Sequence, residues 1–395
     1  MERYRRAVLA CDPGELIITG PAKDPRRPGG GTRPGRTIDA ARGWAQKPGN
    51  TNGAMPTGVT VAPNGRIFVN FPHWGDDPAF TVGELVDGEP VAYPDAAINR
   101  ADPARPAETF ISVQSVVADA ANRLWVLDTA APNFDEPLAG GAKLVAIDLA
   151  TDEVVRTIRF GPDVVLPTTY LNDVRFDLRQ GEAGVAYITD SSLRGPGAII
   201  VVDLASGEAV RRLSGAAVTS AVADFVPTVE GEWLMNRPAE GAPSAFAVAS
   251  DGIAIAPDGA TLYFSPLSSS HLYSVPTALL RDRSVSEAQL AQAVRDLGLK
   301  GASDGLAADE LGRIYGGDYE HNAIRRLADG RWQTIAQGPR IVWPDTLSIG
   351  TDGYLYFTAN QLNRQPGFHR GIDRRVKPYE LLRIRIDAGP VLLGR

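Results

Sequence analysis

One pattern recurs six times along this chain and narrows the folds open to it. Each copy is a short alternating strand, a turn that usually ends in Gly, and a second strand rich in aromatic and β-branched residues. The copies are PTGVTVAPNGRIFVN from residue 56, VQSVVADAANRLWVLD from 113, LNDVRFDLRQGEAGVAYITD from 171, SDGIAIAPDGATLYFS from 250, SDGLAADELGRIYGGD from 303 and PDTLSIGTDGYLYFTAN from 344. Third and fourth strands follow, most clearly KLVAIDLATDEVVRTIRF at 143, AIIVVDLASGEAVRRLS at 198, AIRRLADGRWQTIA at 323 and ELLRIRIDAGPVLLG at 380, each read as a hairpin with an Asp/Gly-rich tip. A four-stranded unit cannot bury both faces alone, and repeating it around a circle leaves only short, protected edges. The expectation is an all-β, six-bladed β-propeller with four-stranded blades over residues 54–395.

Composition agrees: 395 residues, 44% hydrophobic and 22% charged, describe a globular chain that one closed propeller accommodates. No run approaches the ~20 apolar residues of a membrane-spanning helix. Residues 1–53 read as a mostly disordered basic arm rich in Pro, Gly and Arg, with ELIIT from Glu15 as a candidate strand closing the last blade. The body that follows is acidic, which argues against nucleic acid as a partner. Cys11 is the sole cysteine, so no intramolecular disulfide or thiolate metal site forms. The apolar stretch in MERYRRAVLAC is shorter than the ~7–15 residues of a signal h-region. The chain as written therefore reads as cytoplasmic, or as periplasmic or secreted if a signal sequence precedes it.

Two insertions interrupt the repeat. Residues 216–248 hold no strong strand pair and are expected to overhang the binding mouth. SVSEAQLAQAVRDLG from 284 reads as the one inserted helix, with Ser284 and Glu287 as a capping box and Gly298 as its stop. A polar loop, QLNRQPGFHRGIDRRVKP, follows Asn360, and Trp125 reads as packing between blades.

The second residue before each inner strand's apolar run is polar throughout: Thr57, Gln114, Asn172, Asp251, Asp304 and Asp345. Inner strands all start at one end of the channel, so these side chains form a ring. Converging carboxylates raise one another's pKa unless a cation neutralises them, and carboxylate plus amide oxygens suit Ca²⁺. The alternative is framework: Asp and Asn before a strand also bond the local backbone. Asp128, Asp190 and Asp318 at second-strand ends read as turn caps. Of four histidines, His321 in GGDYEHNAI is the leading candidate base, ahead of His73, His271 and His369. No nucleophile elbow, zinc-protease helix or phosphate loop is present.

The stretches SVVADAANRLWVLDTA, YLNDVRFD, SDGIAIAPDGATLYFSPLSS, KGASDGLAADELGRIYGGDYEHNAI and WPDTLSIGTDGYLYFTANQL resemble bacterial members of the Yellow/major royal jelly protein family. That resemblance implies a six-bladed propeller and, more distantly, similarity to the gluconolactonase and regucalcin propellers. By it, Asn172 and Asp304 fall on metal-ligand positions and Asp251 stands where an asparagine is usual, while Thr57 or Gly58 replaces an expected glutamate. The leading expectation is a metal-assisted hydrolase of small esters or lactones: a divalent cation, calcium first, on Asn172, Asp251 and Asp304, with Asp345 as base. The alternatives are a non-catalytic protein holding a small aromatic or amine ligand, with Gln114, Trp74 and Tyr319 contributing, or a dopachrome-type isomerase using His321 with Asp318. The partner in each case is a small molecule, and the chain is expected to be a monomer.

Overall fold

The computed structural model describes residues 53–394 and the backbone of Ile38–Gly43. Six antiparallel four-stranded sheets stand around a channel. Their inner strands are Val59–Val61, Val113–Ala118, Leu171–Asp177, Ser250–Ile255, Ser303–Ala308 and Pro344–Ile349, each beside the next and the last beside the first. Burial follows position in the blade: the second strand Val185–Asp190 is wholly buried, whereas the fourth strand Glu153–Arg159 is almost wholly exposed. Trp125 is buried and its ring stacks on Phe176 of the following blade at 5.1 Å, as its sequence context suggests.

The seams between blades are built from small polar side chains and glycine. Thr189 and Thr358, late in second strands, donate to the carbonyls of Asp251 and Thr57 in the next blade at 2.7 and 2.9 Å. The second of these bonds ties blade six to blade one. In the SDG copies, the glycine answers to close approach. A Cβ at Gly252 would lie 2.4 Å from the Asp304 carbonyl oxygen, and one at Gly305 would lie 2.5 Å from that of Asp345.

Three details depart from the sequence expectation. The strand that completes blade six is Ile38–Gly43, antiparallel to Glu380–Arg385 with Ile38 opposite Ile384. ELIIT lies outside the described residues, and the edge proposed for it is taken. That occupied edge also explains why ELLRIRIDAGPVLLG is not a hairpin. Beyond Arg385 the chain crosses the opposite end of the channel, where Pro390 bridges Asp309 and the Leu393 carbonyl accepts from the Leu178 N–H at 2.9 Å. Finally, there are two short helices in blade four, Thr277–Arg281 and Glu287–Ala293. The capping box of the second is Ser286 with Gln289 rather than Ser284 with Glu287, because Ser284 bonds back to Asp282. The helix stops before Gly298, since Arg295–Leu299 is needed as the blade's fourth strand.

Gly305→Ala is expected to destabilise the fold by about 1–3 kcal/mol, because a backbone carbonyl of the next blade cannot yield to the added methyl. Gly367→Ala, where a Cβ meets nothing within 4 Å, should stay within about 0.5 kcal/mol of the parent. Denaturant unfolding of the two variants checks the contrast.

Candidate functional site

In five blades the inner strand carries a β-bulge at its start. Register is lost between Val113 and Ser115, Leu171 and Val174, Ser250 and Gly252, Ser303 and Leu306, and Pro344 and Leu347. The residues skipped by the ladder include Gln114, Asn172, Asp251, Asp304 and Asp345. A bulge leaves its extra residue out of the pairing and re-aims its side chain, which is how these five turn into the channel mouth. Blade one has no such shift. There Asn70 donates to Thr57 Oγ1 at 2.8 Å and to the Val113 carbonyl at 3.0 Å, and its oxygen fills the space beside Gly58. An Asn–Thr pair thus stands where the family resemblance leads one to expect a glutamate.

The five re-aimed side chains are buried and line one small cavity with Ser191, beneath an apolar roof of Trp74, Phe134, Phe246, Val248, Leu267 and Leu362. Its free volume is about 20 Å³, the room of one water. One side of the ring is a relay of neutral groups: Trp74 Nε1 donates to Tyr170 Oη (2.6 Å), Tyr170 to Gln114 Oε1 (3.2 Å), and Gln114 Nε2 to Asn172 Oδ1 (3.0 Å). The other side is acidic. Asp251 and Asp304 are hydrogen-bonded to each other, Trp343 Nε1 donates to Asp304 Oδ2 at 2.7 Å, and Asp345 accepts from Thr346 and Asn360. Asp251 Oδ1 is buried and has no donor among the described residues.

Burial, followed by the neighbouring carboxylate of Asp304, holds Asp251 and Asp345 well above the ordinary carboxylate range. Burial also pushes Asp304 up to about 6, against the opposing bonds from Asp251 and Trp343. Lys300, buried with its ammonium on the Gly301 carbonyl at 2.9 Å, feels Asp318, Asp251 and Asp304, yet desolvation pulls it down to about 7. Burial and mutual repulsion therefore favour the protonated forms across the acidic arc.

Not every sequence candidate joins this cluster. Tyr319 is fully buried behind it, its ring parallel to Trp343 at 4.3 Å and its hydroxyl on the Leu267 carbonyl, so its face is covered by protein and does not line the cavity. His321 is 64% exposed and paired through Nδ1 with Asp318 at 2.9 Å, outside the cavity. Trp74 and Gln114 do line it. Asp128 and Asp190 are buried caps, accepting backbone N–H groups and the Lys143 and Arg211 cations respectively. Sequence reasoning missed Trp343, Asn360, Phe134 and Phe246. Trp343 adopts a left-handed φ of 54°, unusual for a bulky residue and fixed here by Tyr319 stacking and the Asp304 bond.

The roof draws Trp74 and Phe134 from blades one and two, Phe246 and Val248 from the 216–248 insertion expected to overhang the mouth, and Leu362 from the polar loop after Asn360; these last two loops hold each other. Arg237 N donates to the Gly367 carbonyl (2.7 Å), Arg370 N to the Arg237 carbonyl (2.8 Å), and Phe246 meets Phe368 edge-on at 5.1 Å. Arg375, fixed by Asp76 at 2.7 Å, ties the second loop to blade one.

As for a cation, the donor chemistry of Asn172, Asp251 and Asp304 fits Ca²⁺ in being all oxygen, with Asp251 Oδ1 waiting for a partner. Among the described residues, however, no three His, Cys, Asp or Glu groups converge as a metal cluster. A cation here would rest on two carboxylates and an amide.

Fold and site together define a six-bladed propeller with an acidic, roofed channel mouth. The chain belongs to the major royal jelly protein family, whose profile matches residues 111–385. It is 28% identical over 212 residues to major royal jelly protein 1 of Apis mellifera, covering 49% of this chain and 43% of that protein. To Protein yellow of Drosophila subobscura it is 29% identical over 252 residues, covering 59% of this chain and 41% of that protein. The chain thus spans about two-fifths of the length of the curated relatives it matches. Among solved structures, the calcium-binding protein regucalcin of Agrobacterium tumefaciens superposes with a TM-score of 0.51 at 15% identity, over 91% of this chain and 95% of that one. A gluconolactonase of Xanthomonas campestris gives 0.50 at 12% identity, over 84% and 86%. These likenesses are of fold. No helix among the described residues is long and apolar enough to cross a membrane.

A carboxyl whose pKa is raised on folding stabilises the fold below its unfolded pKa, and that stability is lost as pH rises through the folded value. Ionising Asp304, with its folded pKa of about 6, opposes folding, by up to about 3 kcal/mol at neutral pH. Asp304→Asn, which keeps an acceptor for Trp343, should raise the melting temperature at pH 7.5 and change little at pH 4. Thermal melts across that range check the sign.

Proposed function

We propose that the channel mouth binds a small ligand that pairs an apolar or aromatic body with a cationic amine. The observation that carries this reading is the cavity's two-sided lining, with Trp74, Phe134 and Phe246 above and Asp251, Asp304 and Asp345 below. Aromatic faces and carboxylates both attract a desolvated ammonium, and the apolar roof excludes water that would screen the charge. An amine also supplies the donor that Asp251 Oδ1 lacks. A cavity of about 20 Å³ does not hold such a ligand while the roof is closed, so binding parts the loops around 246 and 368.

A second reading is hydrolysis of a small ester or lactone with a divalent cation on Asn172, Asp251 and Asp304. The unpaired Asp251 oxygen favours it, and the fold neighbours named regucalcin and gluconolactonase make it worth testing. When bound, the cation would polarise a carbonyl and steady the oxyanion. The chain's own part would be to hold Asp304 through the Trp343 indole, to orient Asn172 through Gln114, and to exclude water with the roof. Asp345 is less apt as a base than its sequence position suggests, because burial and Asp304 keep its proton on. His321 pairs with Asp318 and is not among the residues lining this cavity, so the cavity lends a dopachrome-type isomerase no support through it.

Calorimetry with tyramine and, separately, with CaCl₂ distinguishes the two. The amine reading predicts saturable tyramine binding that survives chelator, weakens at least about tenfold in Asp251→Asn, and strengthens as pH rises from 5 to 7.5 while Asp304 ionises. Stoichiometric calcium with lactone turnover, and no tyramine binding, would overturn it in favour of the second.

A further inference from the structure

The roof contains a second cleft, separate from the acidic ring. Its free volume is about 250 Å³, more than ten times that of the ring cavity, and none of its lining residues touches Asp251, Asp304 or Asp345 in the hydrogen-bond network described above. It lies between the loop around 229–237 and the loop around 363–374. Its chemistry is the reverse of the ring's.

Charge in the cleft is mostly spoken for. Glu230 accepts from both Asn363 and Arg364, and Glu232 accepts from Arg374 at 3.1 Å. Among the described residues Arg237 has no carboxylate partner, and its guanidinium bonds there only to the Trp233 carbonyl at 2.8 Å. A guanidinium with a face of donors still open takes a carboxylate as its natural partner. Beside it the Trp233 side chain is 67% exposed, although Trp is a residue a fold usually covers. Leu234 and Phe368 make an apolar floor beneath it.

The third observation is a buried atom. Asn363 is only 6% exposed and its Oδ1 has no donor among the described residues. The amide cannot be turned round to relieve this, because its Nδ2 donates to a Glu230 carboxylate oxygen at 2.9 Å and a carboxylate only accepts. A buried acceptor left unpaired is destabilising, and a ligand hydroxyl that donates to it relieves part of that cost.

We propose that this cleft is a binding site for a small aromatic carboxylate bearing a hydroxyl: its ring on Trp233, its carboxylate on Arg237, its hydroxyl donating to Asn363 Oδ1. Such a ligand touches both roof loops at once. It therefore braces the roof over the acidic mouth, which gives the protein an anion site and an amine site of opposite charge stacked one above the other.

The test is equilibrium titration of the full chain with 4-hydroxyphenylacetate, read by tryptophan fluorescence and calorimetry, alongside phenylacetate and tyramine. Saturable binding of 4-hydroxyphenylacetate is expected, weaker by several-fold for phenylacetate, which lacks the hydroxyl. Arg237→Ala and Trp233→Ala, both on the surface of the roof, should each weaken it at least about tenfold, while Asp304→Asn leaves it unchanged. Absence of saturable binding, or binding that Arg237→Ala and Trp233→Ala both leave intact, would overturn the proposal. Binding lost in Asp304→Asn instead would also overturn it, by moving the ligand to the ring. Failure of tyramine to bind under the same conditions speaks only to the amine reading of the ring.

Discussion

The contact on which this structure depends is the approach of one inner strand to the next, where the SDG glycines of blades four and five meet the carbonyls of Asp304 and Asp345. With no Cβ in the way, the bulged residue beside each glycine is free to point into the channel instead of into the ladder. The same three-residue motif thus sets the spacing of the blades and delivers the carboxyl to the mouth. Framework and site are not alternatives at these positions; the aspartate serves the site because its glycine neighbour serves the framework.

Bringing three carboxyls together out of water has an electrostatic consequence that the rest of the mouth is arranged around. Asp251 and Asp304 bond to each other, Trp343 reaches over from a left-handed backbone position, and Asn360 and Thr346 attend Asp345. None of these is a full counter-charge, and Lys300 is itself too buried to be one. The arc is strained toward protonation, and a cationic group that enters it relieves that strain. Sites that give up stability in this way are expected where binding is the purpose.

Much of the architecture was legible in the chain. Alternation with period two, Gly-ended turns and six repeats of a four-strand unit point to six four-stranded blades, because radial repetition buries such units while leaving only short edges. Five of the six ring positions were legible for the same reason, since symmetry carries the strand starts to one mouth, while Thr57 in the unbulged blade one stays out of the cavity. What the pattern could not show were features that break the repeat. The strand Ile38–Gly43 has no internal copy to align with, and the segment after Arg385 looked like a hairpin only because the already occupied edge of blade six is invisible in sequence. Tyr319 looked available because a tyrosine after a second strand is near the mouth; that Trp343 would lie flat against it depends on a backbone angle no propensity predicts. The roof aromatics Phe134 and Phe246 sit in irregular loops, where spacing carries no information about direction.

Membership of the major royal jelly protein family and the acidic mouth fit together without fixing a reaction, since one propeller scaffold hosts many chemistries and the site decides among them. Three ring carboxyls lie buried at one cavity, where desolvation and mutual repulsion raise their pKa values. Titration of the aspartate carboxyl carbons by NMR, compared between the parent chain and Asp304→Asn, measures this directly. Carboxyls in the parent are expected to titrate at about 6 and higher, with at least one of the remaining two shifting when Asp304 is neutralised. Aspartates that all titrate in the ordinary range near 4, with no change in the variant, would contradict this.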